Sequence, residues 1–499
     1  MERYILTIDQ GTTSSRAIIF NKYGKIIGLS QMEFSQICPK SGWVEHNPDE
    51  IWETVYQVIK GALNNANLKL SDISGIGITN QRETAVLWNK ETGEAVYNAV
   101  VWQSRQSQEI CEDLINRGLS DYIKEKTGLI INPYFSASKI TWMFENVEGV
   151  KELAEEGKLL FGTIDSYLVW KLTNGKVHVT DYSNASRTLL FNIHTLEYDD
   201  DLLNLFKVPR SILPEVVENS KIVGFAEALC DIDETDHLIP ICSMVGDQQA
   251  ALFGQCCYNV GDAKSTYGTG CFILMNTGEE IIDSKKGLLS TIGWVINGKV
   301  SYALEGSVFV AGSAVQWLRD GLEFFEKSSE CEKYVKEKNP ENDVYVVPAF
   351  VGLGTPYWDN DVRGAIFGLT RATTKGNIIA ATLNSIALQA KDVMDVMKEE
   401  LGSKIKYLGV DGGASINNYL MQYQANVLDV KLTRPVCLET TALGAAYLAG
   451  LALGIYKDFK EIKKNHNIEK VFISSMKNSE REEINTKWKK AIEATIKYK

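Results

Sequence analysis

Apolar residues near the N-terminus fall in three short runs separated by polar turns. Tyr4-Ile-Leu-Thr-Ile-Asp9 reads as a strand from its apolar and β-branched content, and Ala17-Ile-Ile-Phe20 resumes it after the polar turn Gln10 to Ser15. Asn21 to Gly24 is a second turn and Lys25 to Ser30 a third strand, so the pattern predicts an antiparallel meander. The period then changes. Asn47-Pro48-Asp49-Glu50 supplies a cap, a proline at the first helical position and acid in the first turn. Ile51, Val55, Val58, Ile59 and Ala62 follow at helical spacing. Ile73 to Thr79 and Thr84 to Trp88 read as strands around the polar stretch Asn80-Gln81-Arg82-Glu83.

The second half repeats the theme. Asp262 to Thr266 is a strand, Tyr267-Gly-Thr-Gly270 a turn and Cys271 to Met275 a strand, and Asn297-Gly298 marks a later hairpin. Tyr407 to Asp411 is a strand ending in Gly412-Gly413, followed by a helix with Ile416, Tyr419, Leu420 and Tyr423 on one face. Leu443 to Tyr456 is too short to span a bilayer and reads as a buried helix. The tail after Glu461, around Ile484 and Trp488, reads as an amphipathic surface helix. The expectation is an α/β protein of two similar lobes facing each other across a cleft, divided near residues 250–260, that is 1–254 and 255–499.

Composition narrows the chemistry. A chain of 499 residues exceeds one ordinary core, and 44% hydrophobic with 23% charged residues is ordinary for a globular protein. A net charge of −12 argues against a nucleic-acid partner, which needs a basic patch. Nine irregularly spaced cysteines make no disulfide framework, five scattered histidines make no zinc site, and no basic-then-apolar leader is seen. A cytoplasmic protein without a membrane partner is expected.

Three glycine-rich elements carry the candidate chemistry. Phosphates are cradled by backbone N–H groups in such turns together with hydroxyls. Gly11, Thr12, Thr13, Ser14 and Arg16 fit that role, and Asp9 at the strand end suits the Mg2+ that accompanies ATP, which keeps waters and takes one or two carboxylates. No Walker sequence is present, so a P-loop fold is excluded. Gly268-Thr269 offers a second phosphate turn, and Gly412-Gly413 a backbone flat enough for adenine. An assembly ATPase would use the same turns but would leave Arg82, Glu83, Tyr134 and Asp247 without a shared purpose.

The segments Asp9-Gln-Gly-Thr-Thr-Ser-Ser-Arg16, Asn80-Gln-Arg-Glu-Thr84, Tyr134-Phe-Ser-Ala-Ser-Lys139, Gly246-Asp-Gln-Gln249, Tyr267-Gly-Thr-Gly-Cys-Phe272 and Asp411-Gly-Gly413 together resemble the FGGY carbohydrate kinases, from Tyr4 to about Leu453. The Asn80 and Gly246 segments resemble members that act on glycerol rather than on a pentose or hexose. The resemblance implies two actin/hexokinase-like (ribonuclease H-like) lobes with an interdomain active-site cleft, and ATP-dependent phosphorylation of glycerol to sn-glycerol 3-phosphate. It implies that Arg82, Glu83, Tyr134, Asp247 and Gln248 contact glycerol, with Trp102 and Phe272 as aromatic walls. Thr12, Thr13, Ser14 and Arg16 match the first phosphate loop, Thr269 the second, Gly312 and Gln316 further nucleotide contacts, and Gly413 and Asn417 the adenosine site. Asp247 becomes the catalytic base, assisted by Arg16 and by Asp9, which would hold Mg2+ through water. A homodimer or homotetramer is implied too. Some members bind fructose 1,6-bisphosphate at an Arg-ended loop; here Cys230 to His237 is acidic and would repel it, so that regulation is not expected. Nor does Val223-Gly-Phe-Ala226 contain the histidine that other members phosphorylate.

Overall fold

The computed structural model describes residues 3–233, 236–337, 343–359, 361–402 and 405–498; Glu234 and Thr235 of the acidic stretch lie outside them. Strands β1 (Tyr4–Gln10), β2 (Ser14–Asn21) and β3 (Ile26–Glu33) form the expected meander. Helix α1 (Pro48–Ala66) starts where the cap signal puts it: the Asn47 side chain accepts from the Asp49 N–H at 2.9 Å. Strand β4 (Ile73–Asn80) lies parallel to β1. After helix α2 (Ser136–Asn146), β5 (Ser220–Phe225) and β6 (Pro240–Gly246) complete a six-stranded sheet of order β5-β6-β4-β1-β2-β3, with β6 parallel to β4. Helix α3 (Asp247–Gly254) follows β6 directly.

The second sheet has seven strands. β7 (Ala263–Tyr267), β8 (Cys271–Gly278), β9 (Leu289–Ile296) and β10 (Lys299–Val308) pair antiparallel, and β11 (Tyr407–Asp411) and β12 (Lys431–Pro435) extend it in parallel beside β7. The order is β9-β10-β8-β7-β11-β12-β13, where β13 (Ile468–Phe472) is antiparallel to β12. The run β10-β8-β7-β11-β12 repeats the pattern of β3-β2-β1-β4-β6: three antiparallel strands, then two parallel ones. Its helices are α4 (Gly312–Asp320), α5 (Lys375–Leu401), α6 (Asn418–Leu428), α7 (Thr440–Ala452) and α8 (Asn478–Lys497).

Successive residues of a strand point to opposite faces, and in the first sheet both faces are covered. Leu6, Ile8 and Ile19 pack with Ile51, Val55 and Val58 of α1. Ile5, Ile18 and Phe20 pack with Ala442, Leu443 and Ala446 of α7, from the far end of the chain. Helices α3 and α7 touch backbone to backbone: a Cβ on Gly254 would lie 2.1 Å from the Thr440 carbonyl oxygen, and one on Gly444 1.9 Å from that of Ala250. Only glycine allows this crossing.

Three expectations change. Ile416 belongs to a 3-10 turn preceding α6 and is 59% exposed, because Gly413–Ile416 coils more tightly before the helix begins at Asn418. The buried helix α7 starts at Thr440 and stops at Ala452, short of Tyr456. The tail is structural rather than a surface appendage: β13 joins the sheet, and Trp488 of α8 is fully buried with its Nε1 donating to Asp392 Oδ2 at 2.8 Å.

Candidate active site

Strands β1, β4 and β6 lie side by side in parallel, and Gln10, Asn80 and Gly246 end level with one another. Side chains at such strand ends collect along one edge of the sheet, where open α/β sheets bind their ligands. That edge carries Asp9 on β1, Arg82 and Glu83 after β4, and Asp247 at the first position of α3.

Arg82 and Glu83 are 3% and 1% exposed, which rules out a solvated surface pair. The Arg82 guanidinium makes two hydrogen bonds to Glu305 of β10, at 2.6 and 3.0 Å, and one to Gln249 at 3.2 Å. Its Nε lies 3.2 Å from Asp247 Oδ1. Arg187 donates to Glu305 at 3.0 Å and to Glu83 Oε1 at 2.6 Å. Burial would raise the Glu305 carboxyl, but Arg187 and Arg82 overcome it and hold the group down at about 2. Glu83 adopts φ of 62°, a left-handed conformation that costs a non-glycine residue roughly 1–3 kcal/mol and persists where surroundings over-determine it. Here Ser136 Oγ donates to the Glu83 carbonyl at 3.0 Å while Arg187 holds its carboxylate.

Asp247 is clamped by its neighbour: Oδ1 accepts from the Gln248 backbone N–H at 2.7 Å and Oδ2 from the Gln248 amide at 3.1 Å. Its side chain is nonetheless 31% exposed. Aromatic rings join the charged cluster through Tyr134, whose centroid lies 5.7 Å from the Arg187 guanidinium. Trp102 meets Tyr134 and Phe272 edge-on at 5.4 and 6.3 Å, and its Nε1 donates to Thr12 Oγ1 at 2.9 Å. Trp102 is therefore not a plain core residue. The buried Lys139 of α2 donates to the carbonyls of Tyr134 and Phe135 at 2.6 and 2.9 Å, anchoring the turn that carries the tyrosine.

On the phosphate side, Asp9 and Arg16 are cross-strand partners, and Arg16 Nη1 is 2.9 Å from Glu439 Oε2. Burial pushes the Asp9 carboxyl up to about 7; Arg16 opposes this, and Glu439 and Asp247 add to it. Among the described residues no hydrogen bond reaches that carboxylate, and no cluster of three or more His, Cys, Asp or Glu could hold a metal. Asp9 thus stands as a single buried carboxylate with Asp247 and Glu439 close enough to raise it, a chemistry compatible with an ion that keeps its waters and takes few protein ligands.

Ser14 is buried and its Oγ accepts from Gln31 at 3.1 Å. The second glycine turn is braced by the start of α4. The Thr269 carbonyl accepts from the N–H groups of Ala311 and Ser313 at 2.9 and 3.1 Å, and a Cβ on Gly312 would lie 2.5 Å from the Gly268 carbonyl oxygen. Gly412 has φ of 83°, pressed on the Tyr267 backbone, whereas Gly413 faces open space. Asn417 caps α6, its Oδ1 accepting from the Leu420 N–H at 3.0 Å, and its amide donates to Cys331 Sγ at 3.2 Å. Thr13, Gln316 and Gly413 are exposed.

Sequence models place these parts in a family. The N-terminal domain of the FGGY family of carbohydrate kinases matches residues 4–254, and its C-terminal domain matches residues 263–453. The chain belongs to the FGGY family of carbohydrate kinases. The glycerol kinases of Bacillus licheniformis and Bacillus cereus are each 58% identical to it over 499 residues, covering 100% of both chains. The crystal structure of Plasmodium falciparum glycerol kinase with ADP superposes with a TM-score of 0.91 at 35% identity, covering 99% of this chain and 98% of that one. A ligand-bound xylulose kinase from Lactobacillus acidophilus, 22% identical with a TM-score of 0.86, shares the fold. As an FGGY kinase the protein has the two-lobed α/β architecture of the actin/hexokinase-like sugar kinases.

Reading the sequence missed Arg187, Lys264 and Glu305 of this FGGY kinase, all buried in the cluster or beside it. A signal was present for two of them: Lys264 and Glu305 are charges set inside strands, in Asp262-Ala-Lys-Ser-Thr266 and Ala303-Leu-Glu-Gly306.

Proposed function

We propose that this FGGY kinase transfers the γ-phosphoryl group of ATP to a hydroxyl of glycerol, giving sn-glycerol 3-phosphate. The observation that carries the reading is the joining of Arg82, Glu83, Asp247 and Gln248 in one polar cluster beside the rings of Trp102, Tyr134 and Phe272. Glycerol has three hydroxyls that each donate and accept, on a short carbon chain. A fork of donors, two carboxylates and an amide answer the hydroxyls, and the rings answer the CH groups. The full-length likeness to two Bacillus glycerol kinases supports the same substrate.

In phosphoryl transfer the protein chiefly positions groups and stabilises charge. Asp247 orients the attacking hydroxyl and takes its proton, while Arg82 holds the carboxylate in place. Thr12, Thr13, Ser14, Arg16 and Thr269 face the phosphates; Gly312, Gln316, Gly413 and Asn417 face the rest of the nucleotide. Asp9 would hold Mg2+ through water, and that ion when bound neutralises charge on the phosphoryl oxygens. No helix among the described residues is long and apolar enough to cross a membrane, and the nine free cysteines suit a reducing cytoplasm. A homodimer or homotetramer completes the reading and is checked by sedimentation.

The deciding experiment is ADP release with ATP and a panel of polyols. Strong dependence on glycerol is expected. Basal hydrolysis indifferent to glycerol, or faster turnover of xylulose or gluconate, would overturn the proposal.

A further inference from the structure

Lys264 sits in β7 with no solvent exposure, where a charge is costly unless it is paired and hydrogen-bonded. Three acceptors surround its ammonium: Gln248 Oε1, Thr266 Oγ1 at 2.9 Å and the Phe272 carbonyl at 3.3 Å. An ammonium has three donors and no acceptor, so every N–H is used and the Gln248 amide is met at its oxygen alone. The amide nitrogen is thereby turned the other way, where it donates to Asp247 Oδ2 at 3.1 Å. Among the described residues nothing accepts its second N–H. The charged groups acting on Lys264 are Asp411 of β11, Asp247 of α3, Arg82 after β4 and Glu305 of β10; burial pushes the ammonium down and Asp411 and Asp247 oppose that.

We propose that Lys264 is a positioning residue that sets the polarity of the Gln248 amide, so that one N–H steadies Asp247 and the other is offered to a hydroxyl oxygen of the polyol. The proposal rests on the glycerol-phosphorylating reading. An amide without the ammonium has two orientations of nearly the same shape, and one of them turns its carbonyl oxygen toward the Asp247 carboxylate. With the ammonium in place the site recognises a particular hydroxyl, and a polyol lacking it leaves a buried donor unpaired.

The test uses the full-length protein and ADP release with glycerol, propane-1,2-diol and propane-1,3-diol. Wild-type protein without glycerol-dependent release would defeat the functional reading itself, separately from the role of Lys264. With wild-type active, Lys264→Met is expected to raise the glycerol KM about 10-fold while the ATP KM stays within about twofold. Its preference for glycerol over at least one diol should shrink by about 10-fold as well. The double variant Lys264→Met/Gln248→Met should be no worse on glycerol than Gln248→Met alone, because the lysine acts through the amide. Undiminished diol discrimination in Lys264→Met, or losses that multiply in the double variant, would overturn the assignment. Should Lys264→Met melt below the assay temperature, Lys264→Met/Thr266→Val removes the orphaned hydroxyl as well, and the same two readings decide.

Discussion

Arg82 and Glu305 stand 223 residues apart in the chain, one just after β4 of the first sheet and the other in β10 of the second, and join through paired hydrogen bonds with side chains 2% and 0% exposed. Glu305 is the principal counter-charge of Arg82, while Glu305 itself answers Arg187 first and Arg82 second, so the Arg82 guanidinium is aimed from the second sheet. Breaking a buried pair from one side costs about 3–5 kcal/mol, because the remaining charge is stranded. Glu305→Gln is expected to lose stability on that scale in urea unfolding and to raise the glycerol KM. A loss below about 1 kcal/mol would place the pair in the class of screened surface bridges.

Asp247→Asn keeps the shape of the clamp formed by Gln248 but removes the proton acceptor. A drop in kcat of about 10²–10⁴ is expected, with nucleotide affinity measured by calorimetry nearly unchanged. Near-normal turnover would remove Asp247 from the role of base.

Asp9 gives a pH signature. Its carboxyl is held up at about 7 by burial, well above the ordinary 3.8. Between those values the folded protein binds the extra proton, so this group's contribution to stability falls as pH rises from about 4 to about 7. In nucleotide-free protein, Asp9→Asn should abolish that part of the pH slope in denaturant titrations. Mg·ATP binding by the wild type should release a proton near neutrality, and Asp9→Asn should release less. Equal proton release by both proteins in buffers of different ionisation enthalpy would contradict the assignment.

The layout of both lobes was legible because alternating strands, capped helices and glycine turns are local signals. Asp9, Arg82 and Asp247 were legible as members of motifs, and the parallel strands β1, β4 and β6 bring their ends to one edge. What could not be read were the partners supplied from afar. Glu305 and Arg187 reach Arg82 and Glu83 only through tertiary packing, and no spacing along the chain encodes a contact over 223 residues. The tail was misjudged for a similar reason: Lys and Glu dominate α8, yet Trp488 finds Asp392 on α5, whose carboxyl burial pushes up to about 6.

That last contact is a structural one and predicts a contrast. Trp488→Phe leaves Asp392 with the Tyr357 hydroxyl at 3.0 Å but without the indole donor. Stability is expected to fall by about 1–3 kcal/mol, read from the thermal midpoint, with kinetic constants at room temperature unchanged. A large change in KM for either substrate would reveal a coupling that the distances do not contain.

Helix α7, encoded near the end of the chain, roofs the apolar face of Ile5, Ile18 and Phe20 at its beginning, and its Gly444 fits only against the backbone of Ala250. Covalent order and folding order therefore disagree. A ribosome that has finished residues 1–254 has made a sheet with one side bare, and that sheet must wait for nearly two hundred further residues before it is covered. Split genes encoding 1–254 and 255–499 should yield soluble protein only when both halves are made together, and a lesion in the last eighth of the coding sequence is inherited as a defect of the first lobe.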